Sequence, residues 1–404
     1  MPTLAVLQMP AHGHINPTLP VLAELVRRGD RVIAWASPDM REKLASTGAE
    51  FREYPPFPFD HDAPPKNLGE VADGLLQFAI DAAPALVADA RSERVDYVMH
   101  DSMAPWGRAV AASLRVPSVC STSTFAIGAG VPRSLKYLLV KLLIYAQSAR
   151  SLPSIWANAR RLSARHPISP PRFFELFRNR ADLNLVYTSA LFQPLADQLD
   201  DTYRFCGPSI PELPDTSDPI AATDPALSDE LGDRPLVYAS LGTLFNDRAD
   251  FFRVVLEGLS DFDGRVLLSI GRKIDPKQLG PLPANAVIRP FVPQLAVLRR
   301  ASLFLTHGGM NSVSEGLYFG VPQLVYPQAA DQMTVADRVA EVGAGLVMKE
   351  RDLEPRRLRS LVRTILERPS FAKNAARIGA SLRAAGGYRE AVAQIEQLKR
   401  RFGI

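Results

Sequence analysis

Cysteine is nearly absent. The 404-residue chain has two, Cys120 and Cys206. Both sit in apolar runs that read as strand ends, so each is expected to be a buried structural thiol. Two such thiols exclude a disulfide framework, and no zinc-type Cys/His spacing occurs. A strong charge of one sign is also missing. Lys plus Arg is 47 against 43 for Asp plus Glu, so the pI near 9.0 is a mild bias. Arg27–Arg28, Arg160–Arg161 and Arg299–Arg300 are scattered pairs, as at helix ends and solvated faces. No basic stripe for nucleic acid is seen. Long hydrophobic runs are lacking too. The longest apolar stretch, Tyr137 to Tyr145, is short and holds Lys141, which argues against stable membrane insertion. The opening residues Leu4 to Leu7 read as a strand, without the charged region, apolar run and cleavage site of a leader. A cytoplasmic protein is expected.

What is present is a globular composition, 47% hydrophobic and 22% charged, on a chain long enough for two cores. Leu4–Met9, Arg31–Ala36, Ala49–Tyr54, Val95–His100 and Pro117–Ser121 read as strands. Helical patterns alternate with them. Asn16 is expected to cap a helix with Pro17 at its first position, closed by Arg27, Arg28 and Gly29. A Pro-rich loop covers Tyr54 to Pro65, and an irregular helical stretch covers Phe125 to Asn179. Four prolines (208, 211, 214 and 219) mark a linker over 207–219. The alternation then restarts, with strands expected at Leu236–Ser240, Arg265–Ile270, Val287–Pro290, Leu303–Thr306, Gln323–Tyr326 and Leu346–Met348. The fold class is α/β: two Rossmann-like, doubly wound domains, 1–206 and 220–385, facing across a cleft. The segment 386–404 carries a last helix, Tyr388 to Arg401, expected to pack back on the first domain.

The densest signal is LFLTHGGMNSVSEGLYFGVPQLVYPQAADQ, Leu303 to Gln332. An apolar strand ends at Thr306, His307-Gly308-Gly309 turn, and a helix opens near Asn311. Glycines there admit a ligand to the backbone, and a helix N-terminus suits a diphosphate. Ser312 and His307 add donors, Glu315 can accept from ribose hydroxyls, and Asp331 and Gln332 follow the next strand end. Two plainer readings stay open. Ser312-x-x-Glu315 fits a capping box, and Asp331 fits an N-cap.

This segment resembles the nucleotide-sugar motif of the family 1 glycosyltransferases of GT-B fold. The nearer similarity is to bacterial macrolide-type and flavonoid-active UDP-glycosyltransferases, and it runs from AHGHINPTLP to Gly345. The resemblance implies that His307, Gly309, Asn311 and Ser312 hold the diphosphate, with Met310 in the same turn. It implies that Glu315 binds ribose, that Asp331 and Gln332 bind sugar hydroxyls, and that Phe291–Gln294, including Val292 and Gln294, lies along the uracil. Plant members carry Trp in this motif where other residues stand here. Ser240-Leu241-Gly242-Thr243 is a second phosphate contact on this view, and an ordinary strand-to-helix turn on the plain one.

Sugar transfer needs a base for the acceptor hydroxyl. His14 follows the first strand and Asp101 the strand Val95–His100. Both lie at carboxyl strand ends, where ligands of such sheets bind. A carboxylate on the far ring nitrogen would orient the imidazole. In the family resemblance the same two residues match the catalytic histidine and its partner. His12 with His14 has no third metal ligand. Asp60-His61-Asp62 and Asp261-Phe262-Asp263 read as solvated carboxylates, so no metal and no resident cofactor is required. The expected partners are a nucleotide sugar and a small acceptor, and Phe57, Phe59, Phe78, Phe125, Trp156 and Phe173 are candidates to line its pocket or to be core. The resemblance implies an inverting transferase using UDP-glucose. A nucleotide-sugar epimerase and a non-catalytic nucleotide-sugar binder are the rivals. A dinucleotide dehydrogenase is disfavoured, because neither half shows Gly-x-Gly-x-x-Gly after its first strand.

Overall fold

A computed structural model describes residues 1–59, 67–128, 135–212, 216, 218–242, 246–328 and 330–404. It divides into two compact units, Met1–Ser209 with Ala385–Ile404, and Ile210–Ala384.

The first unit holds seven parallel strands: β1 (Thr3–Leu7), β2 (Arg31–Ala36), β3 (Glu50–Glu53), β4 (Tyr97–Asp101), β5 (Ser118–Thr122), β6 (Leu183–Val186) and β7 (Tyr203–Phe205). Their order is β3-β2-β1-β4-β5-β6-β7. The chain winds outward from β1 to β3, then returns to the other side of β1 for β4. That reversal opens a crevice at the carboxyl ends of β1 and β4. The period-two alternation of β1 sends Ala5 and Leu7 to one core and Leu4 and Val6 to the other. Both faces are buried, which is why the strands read as continuous apolar runs.

Three local expectations need correction. Asn16 does not cap. A short helix already spans His12–Ile15 with Ala11 as its N-cap, and Asn16 is in αR geometry. The turn starts early because the amides of His14 and Ile15 both reach Ala11 O. The stretch Tyr137 to Tyr145 is not the dominant apolar segment either. The helix Leu68–Ser92 is long and apolar enough to cross a membrane by length and composition. It nevertheless sinks Leu75, Leu76, Ala79, Ala83 and Leu86 into the core beside β1 and β4. Asn67 caps it, accepting from the amides of Gly69 and Glu70. Finally, β6 and β7 lie beyond the strands read from sequence. Strand β7 has three residues, and Arg204 at its centre is exposed, so no apolar run marks it.

The second unit repeats the plan with six parallel strands: β8 (Leu236–Ser240), β9 (Arg265–Ser269), β10 (Ala286–Arg289), β11 (Ala301–Thr306), β12 (Gln323–Val325) and β13 (Gly345–Val347). The order β10-β9-β8-β11-β12-β13 reverses between β8 and β11. Both cysteines are buried and unbridged, and burial pushes the Cys206 thiol up to about 12.

The C-terminal helix Gly387–Phe402 belongs to the first unit. Ala391, Val392, Ile395 and Leu398 pack into the core beside Leu22 and Leu25. A buried ion pair fixes it: Lys399 Nζ lies 2.9 and 3.0 Å from the two Asp30 oxygens, and the Tyr97 hydroxyl donates to the same carboxylate. Lys399→Met would leave that carboxylate buried with no cation. A loss of about 3–5 kcal/mol is expected, read as a fall in Tm by calorimetry. The double variant Lys399→Met/Asp30→Asn should recover part of it.

Candidate functional site

The first cluster stands at the β1/β4 reversal. Asp101 is the last residue of β4 and fully buried. His14 lies in the short helix after β1, with its side chain 17% exposed. The two meet at 2.9 Å, His14 Nδ1 to Asp101 Oδ2. The other carboxylate oxygen accepts from the Met103 amide at 2.7 Å, so the carboxylate is held at both ends. With Nδ1 carrying the hydrogen, Nε2 is the acceptor that a substrate hydroxyl needs. Ser123, just after β5, puts Oγ 3.0 Å from the same Nδ1. The sequence reading missed Ser123. Its one signal was position: it follows a strand adjacent to β4 on the same sheet edge. His100 is also buried, with Nδ1 3.1 Å from Asp101 O, and burial lowers it to about 4, so it stays neutral. His12 does not join His14 as a metal pair. The Lys43 ammonium lies 3.1 Å from its Nδ1.

The second cluster stands at the β8/β11 reversal. His307 follows β11, and Gly242 follows β8 with φ of +74°. The imidazole lies close against two glycines. A Cβ on Gly309 would fall 2.4 Å from His307 Nε2, and one on Gly242 would fall 2.6 Å from Cε1. Only glycine admits this approach at either position. Burial lowers His307 to about 4, so its ring is neutral, and its Nδ1 has no partner among the described residues.

The helix Met310–Tyr318 begins here. Gly309 is its N-cap, and the first intrahelical bond runs from the Val313 amide to Gly309 O. The capping-box reading is therefore overturned. Ser312 is the third helical residue and caps nothing, because the extended backbone of Gly309 already starts the helix. First-turn amides and the positive dipole end meet at the carboxyl end of β11. Asn311 and Ser312 are half-buried in that turn, and the Met310 side chain is buried. Ser240 is buried at the end of β8, and its Oγ accepts from the Gly242 amide at 3.3 Å. Thr243 lies outside the described residues, as do Asp60, His61 and Asp62.

Glu315 does not face its helix end. It accepts from Gln294 Nε2 at 2.6 Å, and the Tyr238 hydroxyl donates to Gln294 Oε1 at 3.0 Å. Desolvation pushes the Glu315 carboxyl up to about 7, with the Gln294 bond opposing. Gln294 is thus tied to Glu315, a link that no spacing rule announces. The Val292 side chain is in the core, while Phe291 is 76% exposed. Within FVPQ, Phe291 is the side chain with a face open to a flat base. Asp331 is not an N-cap. It is exposed and is the second residue of the helix Ala330–Glu341. Gln332 is buried, and its Oε1 accepts from the Gln328 amide at 2.8 Å.

Among the aromatic candidates, Phe78 and Phe173 are core. Phe57 and Phe59 pack edge-on against that core, Phe125 tilts on Phe192, and Trp156 is exposed. Asp261 pairs with Arg359 at 3.0 Å. No group of three His, Cys, Asp or Glu that could hold a metal occurs among the described residues.

The Glu315 environment has a measurable consequence. A carboxyl whose folded value rises from 4.5 to about 7 binds more protons folded than unfolded across that interval. Folding stability therefore falls as pH rises through it. Glu315→Gln removes the effect. Its Tm should exceed that of the wild type above pH 7 and match it below pH 4.5.

Residues 253–398 match the C-terminal domain family of erythromycin biosynthesis protein CIII-like proteins. The chain is 36% identical to the protein named uncharacterized UDP-glucosyltransferase YojK of Bacillus subtilis (strain 168), over 98% of this chain and 97% of that one. It is 30% identical to the oleandomycin glycosyltransferase of Streptomyces antibioticus, over 97% of this chain and 90% of that one. The crystal structure of the glycosyltransferase of kitacinnamycin superposes with a TM-score of 0.82 at 29% identity, covering 98% of this chain and 99% of that one.

Proposed function

The chain belongs to the family 1 glycosyltransferases of GT-B fold and is a UDP-dependent glycosyltransferase; from that premise we propose that it moves glucose from UDP-glucose, with inversion, to a hydroxyl of a small apolar or aromatic acceptor. The observation that carries this reading is the His14–Asp101 pair at 2.9 Å, with Asp101 buried and its second oxygen on a backbone amide. A neutral imidazole so oriented takes the proton of an acceptor hydroxyl as that oxygen attacks the anomeric carbon. The Asp101 carboxylate then stabilises the imidazolium. Attack opposite the leaving diphosphate inverts the anomeric centre without a covalent enzyme intermediate. An apolar natural product such as a macrolide or polyphenol is the acceptor class, in keeping with the oleandomycin relative.

On this reading the donor nucleotide is held by residues of the second unit. The first turn of the helix Met310–Tyr318 and the His307 turn take the diphosphate. Glu315, steadied by Gln294, accepts from ribose hydroxyls. Phe291 covers the base, and Asp331 with Gln332 meets the sugar hydroxyls. No metal is assigned a step.

The test is thermal stability with UDP, UDP-glucose, dTDP-glucose and NAD at matched concentrations. A ligand of the folded state raises Tm by mass action. UDP and UDP-glucose are expected to raise it and NAD to leave it unchanged. Mass-spectrometric screening with UDP-glucose and a panel of apolar phenols and macrolides should then give glucosylated products. A shift with dTDP-glucose and none with UDP-glucose would overturn the donor.

A further inference from the structure

From Ser102 to Phe174 the chain contains no aspartate or glutamate and ten lysines and arginines. This is a strong local bias on a chain whose overall charge is close to balanced. Within the stretch lies the helix Leu135–Gln147, LKYLLVKLLIYAQ. Ile144 packs inward on the core beside the helix Leu68–Ser92. The opposite side is apolar as well. Leu135, Leu139, Leu142 and Leu143 are 68%, 56%, 56% and 58% exposed. Their spacing of i, i+4, i+7 and i+8 makes one stripe along the helix. Such a stripe on a protein surface marks an interaction face.

The charges carried by the same stretch of chain select the occupant. The next helix, Leu152–Arg165, carries an exposed Trp156 with the Arg160 guanidinium 3.5 Å from its ring centroid. Arg150, Arg160, Arg161 and Arg165 are exposed. On the neighbouring helix Leu68–Ser92, Glu70 accepts from Asn67, and Asp73 accepts from Asn158 of the helix Leu152–Arg165. A second copy docked by a two-fold axis would set this cationic face against itself. A bilayer with anionic headgroups supplies an apolar layer for the leucines and opposite charge for the arginines. Tryptophan suits the boundary between the two.

We propose that the helix Leu135–Gln147, with Trp156 and the flanking arginines, is a peripheral docking face for an anionic membrane surface. The helix lies in the headgroup plane and does not cross the bilayer. Arg160 and Arg161, which look like scattered surface charge in the linear sequence, are part of this face.

The experiment is sedimentation of the full chain with large vesicles of phosphatidylcholine, with or without about one third phosphatidylglycerol, at low and high salt. Binding is expected on the anionic vesicles, weakened by salt, and absent on phosphatidylcholine. Leu139→Gln/Leu142→Gln/Leu143→Gln and, separately, Arg160→Gln/Arg161→Gln should each lower it about tenfold or more with unchanged Tm. The arginine pair keeps the test valid if the leucine variant fails to fold. No binding to anionic vesicles, or binding that both variants retain, overturns the proposal. So does a dimer in light scattering that the leucine variant dissociates, found without vesicle binding.

Discussion

His14→Ala is expected to lower kcat by about 10²–10⁴-fold, the usual contribution of a positioned general base, with UDP affinity unchanged. The side chain removed is 17% exposed and sits in a short helix at a sheet edge, so its loss costs little packing. Asp101→Asn tests the other half of the pair. It keeps the shape but offers an amide where Nδ1 now meets a carboxylate at 2.9 Å. The ring can then carry its hydrogen on Nε2, where it cannot accept the substrate proton. The rate should approach that of His14→Ala, again without loss of UDP binding. Calorimetric titration of UDP and single-turnover transfer with one working acceptor would separate the two quantities. Full transfer by His14→Ala would remove it as the base.

The second large effect is expected at Gly309. Its φ of −61° suits any residue, so Gly309→Ala strains no backbone. The added methyl would instead lie 2.4 Å from His307 Nε2 and 3.0 Å from Cε1. Gly242 also lies close to the Cε1–Nε2 edge of this ring, which leaves the imidazole little room to shift. Overpacking of this kind costs about 1–3 kcal/mol. If the displaced ring and helix start are the diphosphate site, that strain appears as a loss of about 5- to 150-fold in UDP affinity. UDP titration against the wild type measures it. The kcat at saturating donor should change far less, which distinguishes this variant from His14→Ala. Unchanged UDP affinity would exclude the His307 turn from the donor site.

These two sites were not equally legible. The turn His307-Gly308-Gly309 could be read because glycines and a helix start leave a compositional mark between two apolar runs. The pairing of His14 with Asp101 could be read because each follows a strand, and parallel strands gather their carboxyl ends on one edge. The role of Gln294 was less visible. Its contact with Glu315 joins the start of one helix to the middle of another, which only the sheet order brings together. The family resemblance implies Gln294 beside the base, and the structure shows it bonded to Glu315. Ser123 was missed for the same reason: nothing in its neighbours distinguishes it from any loop serine, yet the β4–β5 register sets it against His14.

By itself the sequence determined the α/β class, the division into two halves and eleven of the thirteen strands found among the described residues. Buried parallel strands must be apolar on both faces, and that pattern survives in one dimension. It also determined which residues stand at strand ends. Strand order was decided in three dimensions. The two reversals, β1/β4 and β8/β11, exist only once the strands pair, and they make neighbours of residues as far apart in sequence as His14 and Asp101. Tertiary packing also decided that the most apolar long helix, Leu68–Ser92, is a core element, and that the shorter Leu135–Gln147 presents its leucines outward. Hydrophobicity sets how strongly a segment avoids water, but its neighbours decide whether there is anything to hide it against.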